Sequence, residues 1–408
     1  LEGLKIYILG CPSKGIKGLS SEAKLLLKSC DIALVSERFY EFIPDGYKRV
    51  INFVKFPEKF NHLPAMIKDF YERGLKKICI IATGDPNFFG ITNFLKKFFP
   101  DSIERIIPSL SIMQEAFAKL KLSWEDASFF SLHGREKSSL LSFLLKANKG
   151  FMFTSDDTDV LLLLNLLKEY RLSDFKIHIL ENLGMKDESY KILTYPYFVK
   201  SKIAPLNVIV FERTRKSGNY PGIGIDDEAF EYKKGMITKK EVRANIISLL
   251  ELKEGHVLWD VGAGSGSVSI EASFNPDGVL VYAIEKDEES YLNIKKNIDK
   301  FGAINVIPIF SDFQSIFDTL PVPDRIFVGG SGGDLVNILR LGLEKLKKDG
   351  IMVISLVTLQ SLNDVINFCK DKRLFYELYG ILPIRGKKLK DSTIFNTQNL
   401  VYIVRLKK

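Results

Sequence analysis

Apolar residues along this chain recur with two periods, and the two alternate. Lys5–Gly10, Ile32–Ser36 and Lys77–Ala82 are short runs dense in Ile, Leu, Val and Cys. Such runs predict strands covered on both faces. Between and after them the period lengthens to that of a helix. Ser20–Lys28 predicts a helix with Ser20 or Ser21 as N-cap, and Leu63–Arg73 predicts one closed by Gly74. Ile112–Leu120 and Asp159–Tyr170 read the same way, while Ser128–Leu132, Gly150–Thr154 and Lys176–Leu180 read as strands. This alternation predicts an α/β fold.

The pattern breaks at Arg213–Gly224, where turn-forming and polar residues crowd together, and then restarts. Thr238–Leu250, Val268–Ser273, Glu288–Phe301, Leu335–Leu346 and Leu359–Asp371 predict helices. His256–Val261, Val279–Glu285, Arg325–Val328, Ile351–Leu356, Phe375–Tyr379 and Leu400–Arg405 predict strands. A chain of 408 residues is too long for one ordinary core. The expected organisation is a domain over 1–213, a linker over 214–222 and a domain over 223–408.

Composition adds little beyond this, and charge adds one point. At 46% hydrophobic and 26% charged, the chain is ordinary for a globular protein. No apolar run approaches the ~20 residues that span a bilayer, and no start of the chain reads as a secretion signal, so a cytoplasmic location without membrane contact is expected. Cys11, Cys30, Cys79 and Cys369 are scattered, which predicts free thiols and no metal site. The net charge of +8 is uneven: residues 1–215 hold 32 Lys and Arg against 25 Asp and Glu, and the remainder is almost balanced. An acidic ligand for the first half is one reading, and a solvated lysine-rich surface is the plainer one. No basic run is interleaved with aromatics, so nucleic acid is not an expected partner.

Chemistry shows first in the second half. Trp259-Asp260-Val261-Gly262-Ala263-Gly264-Ser265-Gly266 sits where a strand meets a helix. Glycines there let backbone approach a ligand and adopt positive φ, and the helix start offers free N–H groups. Such a loop is common to many nucleotide folds, an NAD-binding one included. Glu285 ends the next strand about 20 residues later, where an acid accepts hydrogen bonds from ribose hydroxyls. These residues resemble class I S-adenosylmethionine (SAM)-dependent methyltransferases. Lys234–Arg243, Phe327–Gly333 and Val357-Thr358-Leu359 further resemble the decarboxylating C15-methyltransferases of cobalamin biosynthesis. The resemblance implies that Thr238, Gly262, Ala263, Gly264, Ser265, Gly266, Glu285 and Asp312 contact SAM. It also implies that Gly330 and Ser331 lie where cofactor and substrate meet. Lys387–Asn396 departs from that family. No catalytic acid or base is identified; Glu241 and Arg243 are loose candidates.

In the first half, Ala82-Thr83-Gly84-Asp85-Pro86-Asn87-Phe88-Phe89-Gly90 resembles the Gly-Asp-Pro loop of tetrapyrrole methylases. Pro108–Ser111, Trp124–Ala127, Ser131–Arg135, Thr154–Asp157 and Glu181–Gly184 resemble further segments of that family, the C5-methylating branch in particular. This implies SAM contacts at Gly84, Asp85, Pro86 and Ser111. It also makes His133 and Arg135 candidate substrate contacts, Arg135 by pairing with a carboxylate. Gly10-Cys11-Pro12-Ser13-Lys14-Gly15 departs from the family's glycine-rich first turn. His62, His178 and His256 belong to no constellation and are read as structural.

The order of the two resemblances is that of the fused precorrin-6Y C5,15-methyltransferases (decarboxylating). It implies a tetrapyrrole methylase fold of two α/β subdomains, then a Rossmann-like class I domain. It also implies one SAM per domain, a precorrin-6B or cobalt-precorrin-6B substrate, and a homo-oligomer. The alternative is a SAM-dependent methyltransferase acting on RNA or another small molecule.

Overall fold

The computed structural model describes residues 1–408 except 14, 42, 133–136, 200, 219–221 and 391, and the side chains of 38, 137 and 138. The first sheet holds β1 (Lys5–Cys11), β2 (Ile32–Val35), β3 (Phe53–Lys55), β4 (Lys77–Thr83) and β5 (Ile103–Ile107). Their order is β3-β2-β4-β1-β5 and every pairing is parallel. Parallel strands need covered faces, and alternate residues supply them. Ile6, Ile8, Leu34 and Ile80 pack with Leu63 and Ile67 on one face. Leu9, Val35, Cys79 and Ile81 pack with Ala23 and Leu27 on the other.

The second sheet holds β6 (Ser128–Ser131), β7 (Lys149–Phe153), β8 (Phe175–Glu181), β9 (Ser189–Leu193) and β10 (Asn207–Arg213), in the order β6-β7-β10-β8-β9. Only β6 and β7 run parallel; β10 is antiparallel to both of its neighbours. Together the two sheets form the two-subdomain tetrapyrrole methylase fold.

The third sheet is the Rossmann-like one. It holds β11 (Val257–Val261), β12 (Leu280–Glu285), β13 (Val306–Phe310), β14 (Arg325–Val328), β15 (Ile351–Leu356), β16 (Tyr376–Ile381) and, after a hairpin of β17 (Ile384–Leu389) and β18 (Ser392–Thr397), β19 (Val401–Lys407). The order is β13-β12-β11-β14-β15-β19-β16, with β19 antiparallel to both neighbours. Strand order reverses beside β11, between β12 and β14, so the carboxyl end of β11 is a topological switch point where such sheets bind ligands. Several expected elements stand at the expected bounds, Glu288–Phe301 and Leu359–Asp371 among them. The helix expected from Thr238 instead begins at Lys240, leaving Thr238 in the preceding turn. No strand was expected at β3, β5, β9, β10, β17 or β18.

Candidate functional site

Two cavities open at strand ends, one in each half. In the second half the chain leaves β11 through Gly262, Gly264 and Gly266, whose φ angles are +69°, +57° and +73°. The backbone N–H groups of Gly262 and Ala263 donate to the Ile284 carbonyl at 3.0 and 3.1 Å, which binds the turn to β12. A Cβ on Gly262 would overlap the Gly330 carbonyl. The two glycine runs therefore touch backbone to backbone, and glycine is required there by contact as well as by φ.

Glu285 ends β12 and holds this turn. Its Oε2 accepts from the Gly264 N–H at 2.8 Å, and its Oε1 accepts from Lys286 and Asp287 N–H at 2.8 and 2.9 Å. Each carboxylate oxygen can accept twice, so capacity remains for a ligand hydroxyl. Asp312 follows β13 and caps the helix Phe313–Ile316, accepting from Ser315 N–H at 3.1 Å and from its hydroxyl at 2.8 Å. The Ser315 hydroxyl, then its N–H, hold this carboxyl below its ordinary range.

These turns enclose about 610 Å³. Thr238, Gly262, Ala263, Gly264, Ser265, Glu285, Asp312, Gly330 and Ser331 all reach the wall. Gly266 does not; it packs under Ile294. Glu241 and Arg243 do not reach it either. Arg243 is fully buried behind the wall, with Nε donating to Glu271 at 2.6 Å and Nη1 to the Thr238 carbonyl at 2.5 Å. Glu241 binds Arg385. Both are thus tied up in structure, contrary to the acid–base reading. Met236, Lys286, Gln398 and Asn399 also line the wall, and none was expected as a contact. The last two follow the hairpin, far along the chain from any motif.

Asp260, one residue before the end of β11, has no exposure, and its Oδ2 accepts from the Ser269 hydroxyl at 2.5 Å. Burial pushes this carboxyl up to about 7, with the Ser269 hydrogen bond opposing and the Glu285 charge adding to the rise.

In the first half three turns converge. Gly84, with φ +64°, donates its N–H to the Cys11 carbonyl at 2.7 Å. A Cβ there would stand 3.0 Å from the Ser111 Cα, and a Cβ on Gly10 would overlap the Gly84 carbonyl. Asp85 turns the loop by accepting from the Asn87 N–H at 2.9 Å. Ser111 caps the helix Ile112–Leu120 in a reciprocal pair with Gln114. The cavity measures about 420 Å³, and Gly84, Asp85 and Ser111 line it. Pro86 does not line it; its carbonyl accepts from Thr92 and closes the loop.

The remaining wall mixes aromatic and aliphatic side chains and draws on both subdomains. Phe88 and Phe89 meet Phe153 of β7 at ring-centroid distances of 5.6 and 5.4 Å. Thr154 and Asn207 stand on the second sheet's side. The Phe88-Phe89 pair was legible in its loop; Asn207 was not, because its strand was not read. His133 and Arg135 lie outside the described residues. His178 is buried, bound to the Tyr190 hydroxyl at 2.6 Å and to Glu212 at 3.2 Å. Burial lowers its pKa, as befits a structural residue. Among the described residues no three His, Cys, Asp or Glu side chains gather as metal ligands, and no helix is long and apolar enough to cross a membrane.

Known proteins match both halves. The family model for tetrapyrrole (corrin/porphyrin) methylases matches residues 5–195, and the one for the precorrin methyltransferase domain matches residues 228–402. A precorrin-6Y C(5,15)-methyltransferase [decarboxylating] from Sinorhizobium sp. is 29% identical over 86% of this chain and 84% of its own. A probable cobalt-precorrin-6B C(15)-methyltransferase (decarboxylating) from Pyrobaculum calidifontis is 40% identical over 45% of this chain and 96% of its own. A crystal structure of precorrin-6y C5,15-methyltransferase from Geobacter metallireducens is 39% identical, with a TM-score of 0.45, covering 47% of this chain and all of its own.

Proposed function

Because the chain belongs to the family of decarboxylating precorrin-6Y C5,15-methyltransferases, a family that takes its methyl from SAM, we propose that it methylates precorrin-6B, or its cobalt form, at C5 and C15. In the same reading it removes CO2 from the C12 acetate side chain, as a step of cobalamin biosynthesis. Residues 1–213 carry the C5 transfer, residues 223–408 the C15 transfer and decarboxylation, and 214–222 link them. Each half holds one SAM. The chain works as a cytoplasmic homo-oligomer and binds neither nucleic acid nor membrane.

The observation that carries this reading is the pair of separate clefts, each shaped by main-chain turns that pass too close for a side chain, at Gly262 in one and at Gly10 and Gly84 in the other. The cofactor fits both cradles. In the second half Glu285 retains acceptor capacity for ribose hydroxyls, and the turn Gly262–Gly266 leaves room for a nucleoside against backbone. In the first half Gly84, Asp85 and Ser111 line one side and the Phe88–Phe89–Phe153 group forms an apolar floor.

Bound SAM supplies an electrophilic methyl group. The protein's task is then positional: fixing the distance and angle between that methyl and a nucleophilic ring carbon. The touching glycine runs at Gly262 and Gly330 set one wall of the second cleft and Thr238 sets another. The aromatic floor of the first cleft keeps water from a centre that loses positive charge as the new bond forms. The electron pair released by decarboxylation passes into the conjugated ring of the substrate, and a proton from water then completes the methyl group left at C12.

Incubation with labelled SAM and precorrin-6B tests the reading. Two methyl groups gained and one CO2 lost is the expected product. Methyl transfer to tRNA or to other small acceptors, with none to the precorrin, would sink it. Titration with S-adenosylhomocysteine is expected to give two sites per chain.

A further inference from the structure

One apolar cluster runs from the first half into the second. It takes in Leu163, Leu166 and Leu167 of the helix Asp157–Glu169 together with Trp259, Leu280 and Tyr282 of β11 and β12. The sequence places those two sets on opposite sides of the linker. The reason lies in the Rossmann-like sheet. The connection from β13 to β14 holds only a four-residue helix, Phe313–Ile316, and a single 3-10 turn, Phe317–Thr319. This is short cover for strands that bear a tyrosine with no exposure at their centre. The carboxyl end of the first half's helix meets that tyrosine: the Tyr282 hydroxyl donates to the Tyr170 carbonyl at 2.9 Å.

Polar contacts surround the apolar seam. Asn305 donates from Nδ2 to the Leu145 carbonyl at 3.0 Å, and its Oδ1 accepts from Arg213 Nη2 at 3.2 Å. Arg213 is buried, is neutralised by Asp174 at 3.0 Å, and also donates to the Leu144 carbonyl at 3.1 Å. The Ser142 hydroxyl donates to the Asp277 carbonyl at 2.9 Å, and Arg171 donates to the Thr319 carbonyl at 3.0 Å. The Gly218 N–H donates to the Gly302 carbonyl at 2.9 Å, so part of the linker is itself fastened down. A Cβ on Gly278 would stand 3.1 Å from the Ser142 carbonyl. Buried apolar surface, a buried paired cation and a close glycine contact are the marks of a built interface rather than of two tethered bodies.

We infer that this surface, not the linker, holds the two halves together, and that each half is the other's permanent partner. The first half supplies cover that the second half's own β13–β14 connection leaves short. The relative placement of the two cavities is then fixed by packing. This inference does not rest on the catalytic reading.

The test uses the full chain with a protease site inserted between residues 214 and 222. After complete cleavage the two fragments are expected to co-elute on size exclusion at micromolar concentration and to melt in one transition. Separate elution of the fragments overturns the inference. Asn305→Leu removes both hydrogen bonds that residue makes across the seam. In the cleaved protein it is expected to weaken association roughly tenfold or more. Unchanged affinity would place the contact elsewhere and overturn the assignment. If Asn305→Leu does not fold, Tyr282→Phe, which removes only the hydroxyl, serves in its place with a severalfold loss expected. S-adenosylhomocysteine titration of the cleaved pair reads the catalytic proposal separately: associated fragments that bind none would defeat that proposal and leave the interface standing.

Discussion

Gly262, in the turn after β11, lines the second cleft, and Asp260, within β11, is fully buried; the two carry different predictions. Gly262 sits at φ +69° with the Gly330 carbonyl where a side chain would begin. Alanine there meets both a left-handed backbone, costing roughly 1–2 kcal/mol, and a carbonyl on a second loop that must move. Gly262→Ala is expected to weaken S-adenosylhomocysteine binding in the second half at least tenfold. Calorimetry should then resolve one weakened and one unchanged site; two unchanged sites would show that the loops yield freely. Asp260 makes a prediction in pH. Its carboxyl is raised to about 7 in the fold, chiefly by burial, from an ordinary value near 4. Between those values the folded chain holds a proton that the unfolded chain has lost. Stability from this group is therefore full below about pH 4 and falls as pH rises through about 7, by about 4 kcal/mol at most. Other carboxylates, such as Asp312, shift the opposite way, so the signal lies in the difference from Asp260→Asn. Melting curves from pH 4 to 8 should show the wild type losing ground to that variant as pH rises. Parallel curves would mean that Asp260 is charged throughout.

Elements were legible wherever period and cap agreed. The helices Glu288–Phe301 and Leu359–Asp371 begin at side chains that do cap them, Asp287 and Thr358, and Ser20 caps the helix that it was expected to cap. Signals failed where burial depends on distant partners. β10 is an apolar run that ends at Arg213, where the turn-rich break begins, and it was not read as a strand. The hairpin β17–β18 is exposed along nearly its whole length, so no apolar face marks it as paired strands. The segment before Lys240 is another such case. Its motif was visible, but not what holds it. Arg243 and Glu271 are both buried and paired at 2.6 Å; Arg243 also holds Thr238, and Glu271 accepts from Gly224 and Ile225 N–H at 3.0 and 2.9 Å. Removing the cation leaves a carboxylate buried without its partner, a loss of roughly 3–5 kcal/mol. Arg243→Met is accordingly expected to lower the melting temperature and to loosen the wall at Thr238. The dissociation constant for S-adenosylhomocysteine in the second half should rise while that in the first half stays. A change in turnover with unaltered binding would instead restore Arg243 as a reacting group.

At the scale of the whole molecule, the division into two halves of different fold was legible and the seam between them was not. Each half announces itself by a loop motif, whereas Leu163, Tyr282 and Asn305 carry no local sign that they meet. Charge is a whole-molecule property that was visible at once: the excess of cations lies almost entirely in residues 1–215. If the substrate of the first cleft carries several carboxylates, this excess draws it in over distances of about a Debye length, ~10 Å at 0.1 M salt. The lining of that cleft is mainly apolar and aromatic, with Asp85 and Glu115 as its acids. The attraction must therefore come from the surrounding surface, where salt screens it well. Raising salt from about 0.05 to 0.5 M is thus expected to increase KM for the tetrapyrrole severalfold while kcat changes little. The second half, nearly neutral, provides the internal control: its methylation of the same substrate should respond less. A KM for C5 methylation that ignores salt would reduce the charge excess to a solvated surface.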